Sequence, residues 1–91
     1  MLFQLGRLIL SSEIANTIKI NPDFQSEIDK SMERYINGDW GEFSEHDANM
    51  NDCAIIENHD LIYARYDTSQ GEVWFITEWD RSCTKILFSH E

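Results

Sequence analysis

Several residue types are scarce in this 91-residue chain. It has one Pro, four Gly, two Cys and seven Lys plus Arg. So few cations, set against 17 Asp plus Glu for a net charge of −10, argue against adhesion to phosphate backbones or anionic lipid, both of which need clustered positive charge. The expectation is no direct nucleic-acid binding and no membrane partner. Cys53 and Cys83 lie 30 positions apart with no CxxC spacing, which reads as reduced thiols in a cytoplasmic protein and not as a disulfide framework. The apolar opening, interrupted by Gln4 and Arg7, lacks the features of a secretory signal and is far shorter than the roughly 20 residues that span a bilayer. Gly-rich phosphate loops, G-x-S-x-G and H-E-x-x-H are absent. What is present is apolar mass: 42% hydrophobic and 12% aromatic residues, enough for one small core and too much for a disordered chain.

The pattern predicts a single α+β domain over residues 1–91. Residues 2–10 alternate as a strand, with Phe3, Leu5 and Ile9 on one face and Leu2, Leu8 and Leu10 on the other, which suggests either cover on both sides or packing under a helix. Ser12 is the expected N-cap of a short helix with Ile14 and Ile18 at i and i+4. Asn21-Pro22-Asp23 signals a second helix, whose stripe of Phe24, Ile28, Met32, Tyr35 and Ile36 runs to a stop at Asn37-Gly38. Ser44 and Asp47 have capping-box-like spacing for a third helix over about 45–57, placing Met50, Cys53 and Ala54 inward. Segments 61–67, 72–79 and 84–88 read as strands, the first two joined through Thr68-Ser69-Gln70-Gly71. The expected architecture is an N-terminal strand, two or three helices, then a three-stranded antiparallel meander, with helices on one face of the sheet.

Charge is uneven along the chain. Residues 23–60 hold eleven acids against Lys30 and Arg34, a balance of −9, while the rest of the chain carries −1. One reading is a solvated helix face that keeps a small protein soluble. The other is a carboxylate surface made of Asp23, Glu27, Glu33, Asp39, Glu42, Glu45 and Asp47, with Trp40 as anchor, that occupies a basic groove on a partner protein.

Candidate chemistry is weaker. Asp47 to Asn51 begins like a calcium loop, but Asp52 stands where Gly is needed and Asn58 where Glu is needed. His46, Cys53 and His59 match no zinc spacing. No metal or other cofactor is expected. Glu78, Asp80 and Arg81 form the densest polar cluster, read as a strand end stabilised by its own side chains, with a hydrolase site as the lesser reading.

Gly38-Asp39-Trp40-Gly41, the segment Val73-Trp74-Phe75-Ile76-Thr77-Glu78-Trp79-Asp80-Arg81-Ser82 and Thr84-Lys85-Ile86-Leu87-Phe88 together resemble a family of small proteins of plasmids, phages and other mobile elements. That family typically shows G-D-W-G and I-T-E-x-D-R-S segments, and some members are labelled restriction–modification subunits. The chain departs from the family pattern at Trp79 and at Ser89-His90. The resemblance implies an anti-defence setting. The expected function is a non-enzymatic, anti-CRISPR-like inhibitor that binds a CRISPR or restriction effector complex and blocks nucleic-acid access. The alternative is a homo-oligomeric accessory or regulatory module that acts through its sheet edge, with Tyr66, Trp74 and Ile76 at the interface.

Overall fold

A computed structural model describes residues 3–41, 51, 52, 55 and 60–91. The elements are β1 (Arg7–Leu10), α1 (Ser12–Ile20), α2 (Asp23–Ile36), β2 (Ile62–Thr68), β3 (Gly71–Thr77) and β4 (Cys83–Phe88). The sheet order is β1-β4-β3-β2, so the expected α+β class and the antiparallel β2–β3–β4 meander are both present. The N-terminal strand joins that meander parallel to β4, pairing Leu8 with Thr84 and Leu10 with Ile86. Among the described residues no helix is long and apolar enough to cross a membrane. The third expected helix, over 45–57, lies largely outside the described residues, although Asn51, Asp52 and Ile55 are helical.

Both described helices follow from local signals, with ends displaced by one residue. Ser11, not Ser12, caps α1, its hydroxyl accepting from the Ile14 amide at 3.2 Å. Asn21 closes α1, its backbone amide donating to the Thr17 carbonyl, and the residue that precedes α2 is Pro22, with no side-chain cap. The stripe of α2 is buried as expected at Phe24, Ile28 and Tyr35. Gly38, at φ 82°, ends the helix. Phe24 stacks on Phe88 at 5.7 Å, and Tyr35 meets Phe75 at 5.3 Å, so α2 seals the face formed by Ile62, Ala64, Tyr66, Val73, Phe75, Ile86 and Phe88.

The first strand is shorter than its pattern and is not covered on both sides. Gly6 breaks it, at φ 64°, where a Cβ would lie 2.3 Å from the Arg81 carbonyl oxygen. Phe3 and Leu5 therefore turn into the core, and Phe3 packs edge-on against Tyr35 at 5.2 Å. Beyond the break, Leu8, Ile9 and Leu10 remain exposed. The helical layer explains this, because α1 packs on β4 and α2 on β2, leaving β1 overhanging.

A buried chain of oxygens joins the layers. Starting at the Leu5 carbonyl it passes through Thr84 Oγ1 (2.8 Å), Thr77 Oγ1 (2.7 Å) and Tyr35 Oη (2.7 Å), and ends at the Ile62 carbonyl (2.9 Å). Both ends accept only, so three hydroxyl protons serve four contacts. With Thr77 removed, Tyr35 still donates to Ile62 and Thr84 to Leu5. With Thr84 removed, the Leu5 carbonyl loses its donor. Thr84→Val is therefore expected to cost about 1–3 kcal/mol and Thr77→Val clearly less. Urea midpoints of the two variants test this order, and an equal or larger loss for Thr77→Val would contradict it.

Candidate functional site

The acidic surface expected from the sequence is divided by the fold. Glu27 lies on the flank of α2 that faces the β2–β3 hairpin, where its carboxylate accepts from the Ser69 amide (2.8 Å) and hydroxyl (2.6 Å). Asp39 accepts two bonds from the Arg34 guanidinium, at 2.8 and 3.1 Å, and one from the Gly41 amide. Both acids hold partners within the molecule while remaining at its surface. Asp23 and Glu33 are exposed and make no side-chain contact among the described residues; Asp29 is also exposed and accepts from Gln25 at 2.9 Å. Glu42, Glu45 and Asp47 lie outside the described residues, as do the calcium-like stretch through Asn58, apart from Asn51, Asp52 and Ile55, and Cys53 and both histidines of the rejected zinc grouping.

Trp40 is the clearest correction. It is 5% exposed, packs against Phe3 (6.1 Å) and Tyr35 (5.7 Å), and donates its indole N–H to Asp52 at 3.4 Å. It anchors the core and is not open to a partner. The Gly38–Gly41 loop around it fastens the end of α2 to the outer edge of β2. The Trp40 carbonyl accepts from the Arg65 amide, and a Cβ on Gly41 would sit 1.9 Å from the Arg65 carbonyl oxygen, so this approach requires glycine. Tyr66 donates its hydroxyl to the Asp39 carbonyl from within the core. Further along the same edge, the Asn51 side chain donates to the Tyr63 carbonyl (2.6 Å) and accepts from its amide (3.2 Å), as a neighbouring strand would. The β2 edge is thus occupied.

Glu78, Asp80 and Arg81 come together as a turn. Glu78 pairs with Lys85 at 3.2 Å, and Asp80 accepts from the Ser82 amide at 3.0 Å in an Asx turn; the Ser82 side chain first, and then this amide, hold the Asp80 carboxyl below the usual range. Arg81, at φ 60°, points its guanidinium at the carbonyls of Asp60 (2.6 Å), Glu78 (3.1 Å) and Trp79 (3.3 Å). These contacts knit the β3–β4 turn to the start of β2, with Arg81 bonded to backbone carbonyls where a carboxylate partner was expected. Among the described residues no group of three His, Cys, Asp or Glu side chains could hold a metal ion. A shallow groove of about 330 Å³ lies between Glu27, Lys30, Ser31, Arg34 and Asp67, and it mixes charges of both signs.

The residues proposed for a sheet-based interface are also redistributed. Tyr66 is fully buried. Trp74 is half-buried, stacked on Tyr63 at 6.2 Å, with its indole N–H donating to Glu72 at 2.9 Å and the Arg65 guanidinium 5.9 Å from its ring. Among the described residues the exposed large apolar side chains are Leu8 (53%), Ile9 (39%) and Leu10 (42%) on β1, Ile20 (85%) at the end of α1, Leu61 (39%) before β2 and Trp79 (59%) on the β3–β4 turn. The alternation over residues 2–10 suggests cover for Leu8, Ile9 and Leu10. A signal for Trp79 existed, since Glu78, Asp80 and Arg81 surround it with polar groups at a strand end.

Comparison with protein-family models, with curated proteins and with solved structures finds no match in any of the three.

The Ser69 hydrogen bonds hold the Glu27 carboxyl below its ordinary value of 4.5, and chiefly the Arg34 hydrogen bond holds Asp39 below 3.8. A carboxyl depressed in the folded state stabilises it above the unfolded value and loses that contribution as pH falls through the folded one. Stability should therefore be level near neutrality and decline below about pH 4.5. Glu27→Gln should flatten part of that decline, by a small amount because the contact is exposed. Denaturant midpoints of both proteins across the acid range check this; parallel curves would remove Glu27 from the account.

Proposed function

We propose that this protein is a non-enzymatic accessory or regulatory module that acts by adding the open β1 edge of its sheet to another polypeptide. One observation carries the reading: three consecutive large apolar residues, Leu8 to Leu10, stand exposed on an edge strand while the opposite edge is occupied by Trp40, Gly41 and Asn51. Edge strands are ordinarily blunted by charge, Pro, bulges or cover, and β1 carries just Arg7. Strand addition supplies affinity through backbone hydrogen bonds and specificity through alternate side chains. The resemblance to small proteins of mobile elements favours an accessory role in the host cytoplasm. The G-D-W-G and T-E-x-D-R-S segments that carry it support a role in holding the fold, since Asp39, Gly41, Asp80 and Arg81 are all spent on internal contacts.

The second reading, an anti-CRISPR-like inhibitor that fills the basic groove of a defence complex, is favoured by the carboxylates of Asp23, Asp29 and Glu33 standing open on α2. Trp40 is buried, and Glu27 and Asp39 already hold internal partners at the surface. Its binding would weaken with added salt, because the Debye length drops below about 10 Å beyond 0.1 M.

Leu8→Pro separates the two. It removes an outward backbone donor, a substitution that edge strands accept, and leaves the acids untouched. Pull-down of interacting chains from host cells should be lost with Leu8→Pro and kept when Asp23, Asp29 and Glu33 are all changed to Lys. The opposite pattern would replace the edge reading with the acidic one.

A further inference from the structure

We infer that the chain received at β1 is a second copy of this protein, joined antiparallel about a two-fold axis through Ile9. The inference rests on the edge reading above and names its partner. The amides of Arg7 and Ser11 donate inward to the carbonyls of Ser82 and Ile86 in β4. Alternation along the strand then turns the N–H and C=O groups of Leu8 and Leu10 outward. Among antiparallel self-pairings, the one centred on Ile9 sets Leu8 opposite Leu10 of the other copy. Each such pair exchanges both backbone bonds, so all four outward groups on each copy are satisfied.

Side-chain chemistry fits the same register. Leu8 and Leu10 share a face with their β4 neighbours Thr84 and Ile86, on the helix side, where the helical layer stops short of β1. Two copies would close four leucines into one apolar cluster there, while Ile9 meets its own mate on the opposite face. Arg7 falls opposite Ser11 of the other copy. The Ser11 hydroxyl donates to the Glu91 carboxylate at 2.8 Å, and that carboxylate also accepts from the Phe88 amide. A cation on each copy thereby faces an anchored anion on the other, twice over by symmetry.

Net charge points the same way. Two chains of −10 repel, so a contact between copies must form where acids are few. The acids of α2 and of the Asp39 loop belong to the other end of the sheet order, beside β2, whereas β1 itself carries one cation and no acid. A four-residue edge offers little area, which makes the dimer a weak and concentration-dependent one.

Sedimentation velocity on the full chain, from low micromolar to millimolar, should show the mass rising from one chain towards two. Three variants test the register. Leu8→Pro removes two of the four intermolecular backbone bonds and should weaken association at least about tenfold. Ile9→Lys sets like charges face to face on the axis and should do the same without touching the backbone. Arg7→Glu should weaken association, and adding Glu91→Arg should restore it, a rescue that a merely destabilised fold would not give. Far-UV circular dichroism confirms that each variant is folded. A wild-type protein that stays monomeric to millimolar concentration overturns the self-pairing. If Leu8→Pro still abolishes capture of a different chain, the edge reading survives that failure; if it does not, both fall. A dimer indifferent to all three substitutions would place the contact elsewhere and overturn the inference equally.

Discussion

The oxygen chain from the Leu5 carbonyl through Thr84, Thr77 and Tyr35 to the Ile62 carbonyl is the constraint on which the other features rest. It links the N-terminal segment, β4, β3, α2 and β2 at one buried point, and each link has its own distance requirement. Because unpaired polar groups inside a core are costly, these five elements have one mutual arrangement that satisfies them. Burial of the Tyr35 hydroxyl raises its pKa well above the phenol value, so the group stays a neutral donor across the physiological range.

With that point set, the two ends of the sheet acquire different characters. At β2, the helix end, the Gly38–Gly41 loop and Asn51 supply the missing edge partners, and the conformational freedom of Gly41 lets the loop approach the strand backbone closely. At β1 the same core draws Phe3 and Leu5 inward and leaves the chain after Gly6 as a short parallel strand with no partner strand on its outer side among the described residues. The two helices described in full, α1 and α2, pack on β4 and β2, and Leu8 to Leu10 stay exposed. The uncovered strand is the apolar one, so the protein's open edge is sticky on both faces as well as along its backbone.

Charge follows this division. Arg34 is committed to Asp39 and lies 5.0 Å from the centre of the Tyr66 ring, and Glu27 is committed to the hairpin at Ser69. These charges tie the β2 side together.

The helical stripe from Phe24 to Tyr35, the capping signals near Ser11 and Pro22, the β-rich C-terminal half and the structural character of Glu78, Asp80 and Arg81 were legible in the residues alone. All depend on spacing of 3.6 or 2 and on turn chemistry, which are local properties. The burial of Trp40 was not legible, because a Gly-flanked aromatic in an acidic loop looks exposed until Phe3 and Tyr35 arrive from distant positions to enclose it. Nor was the exposure of Leu8 to Leu10, since their alternation is that of a covered strand and the missing cover is a matter of where two helices come to lie. The amino-acid order by itself determined which segments are helix and strand and which of their faces are apolar. Tertiary structure decided which apolar face stays bare and which carboxylates are consumed, because both depend on contacts between residues far apart in the chain.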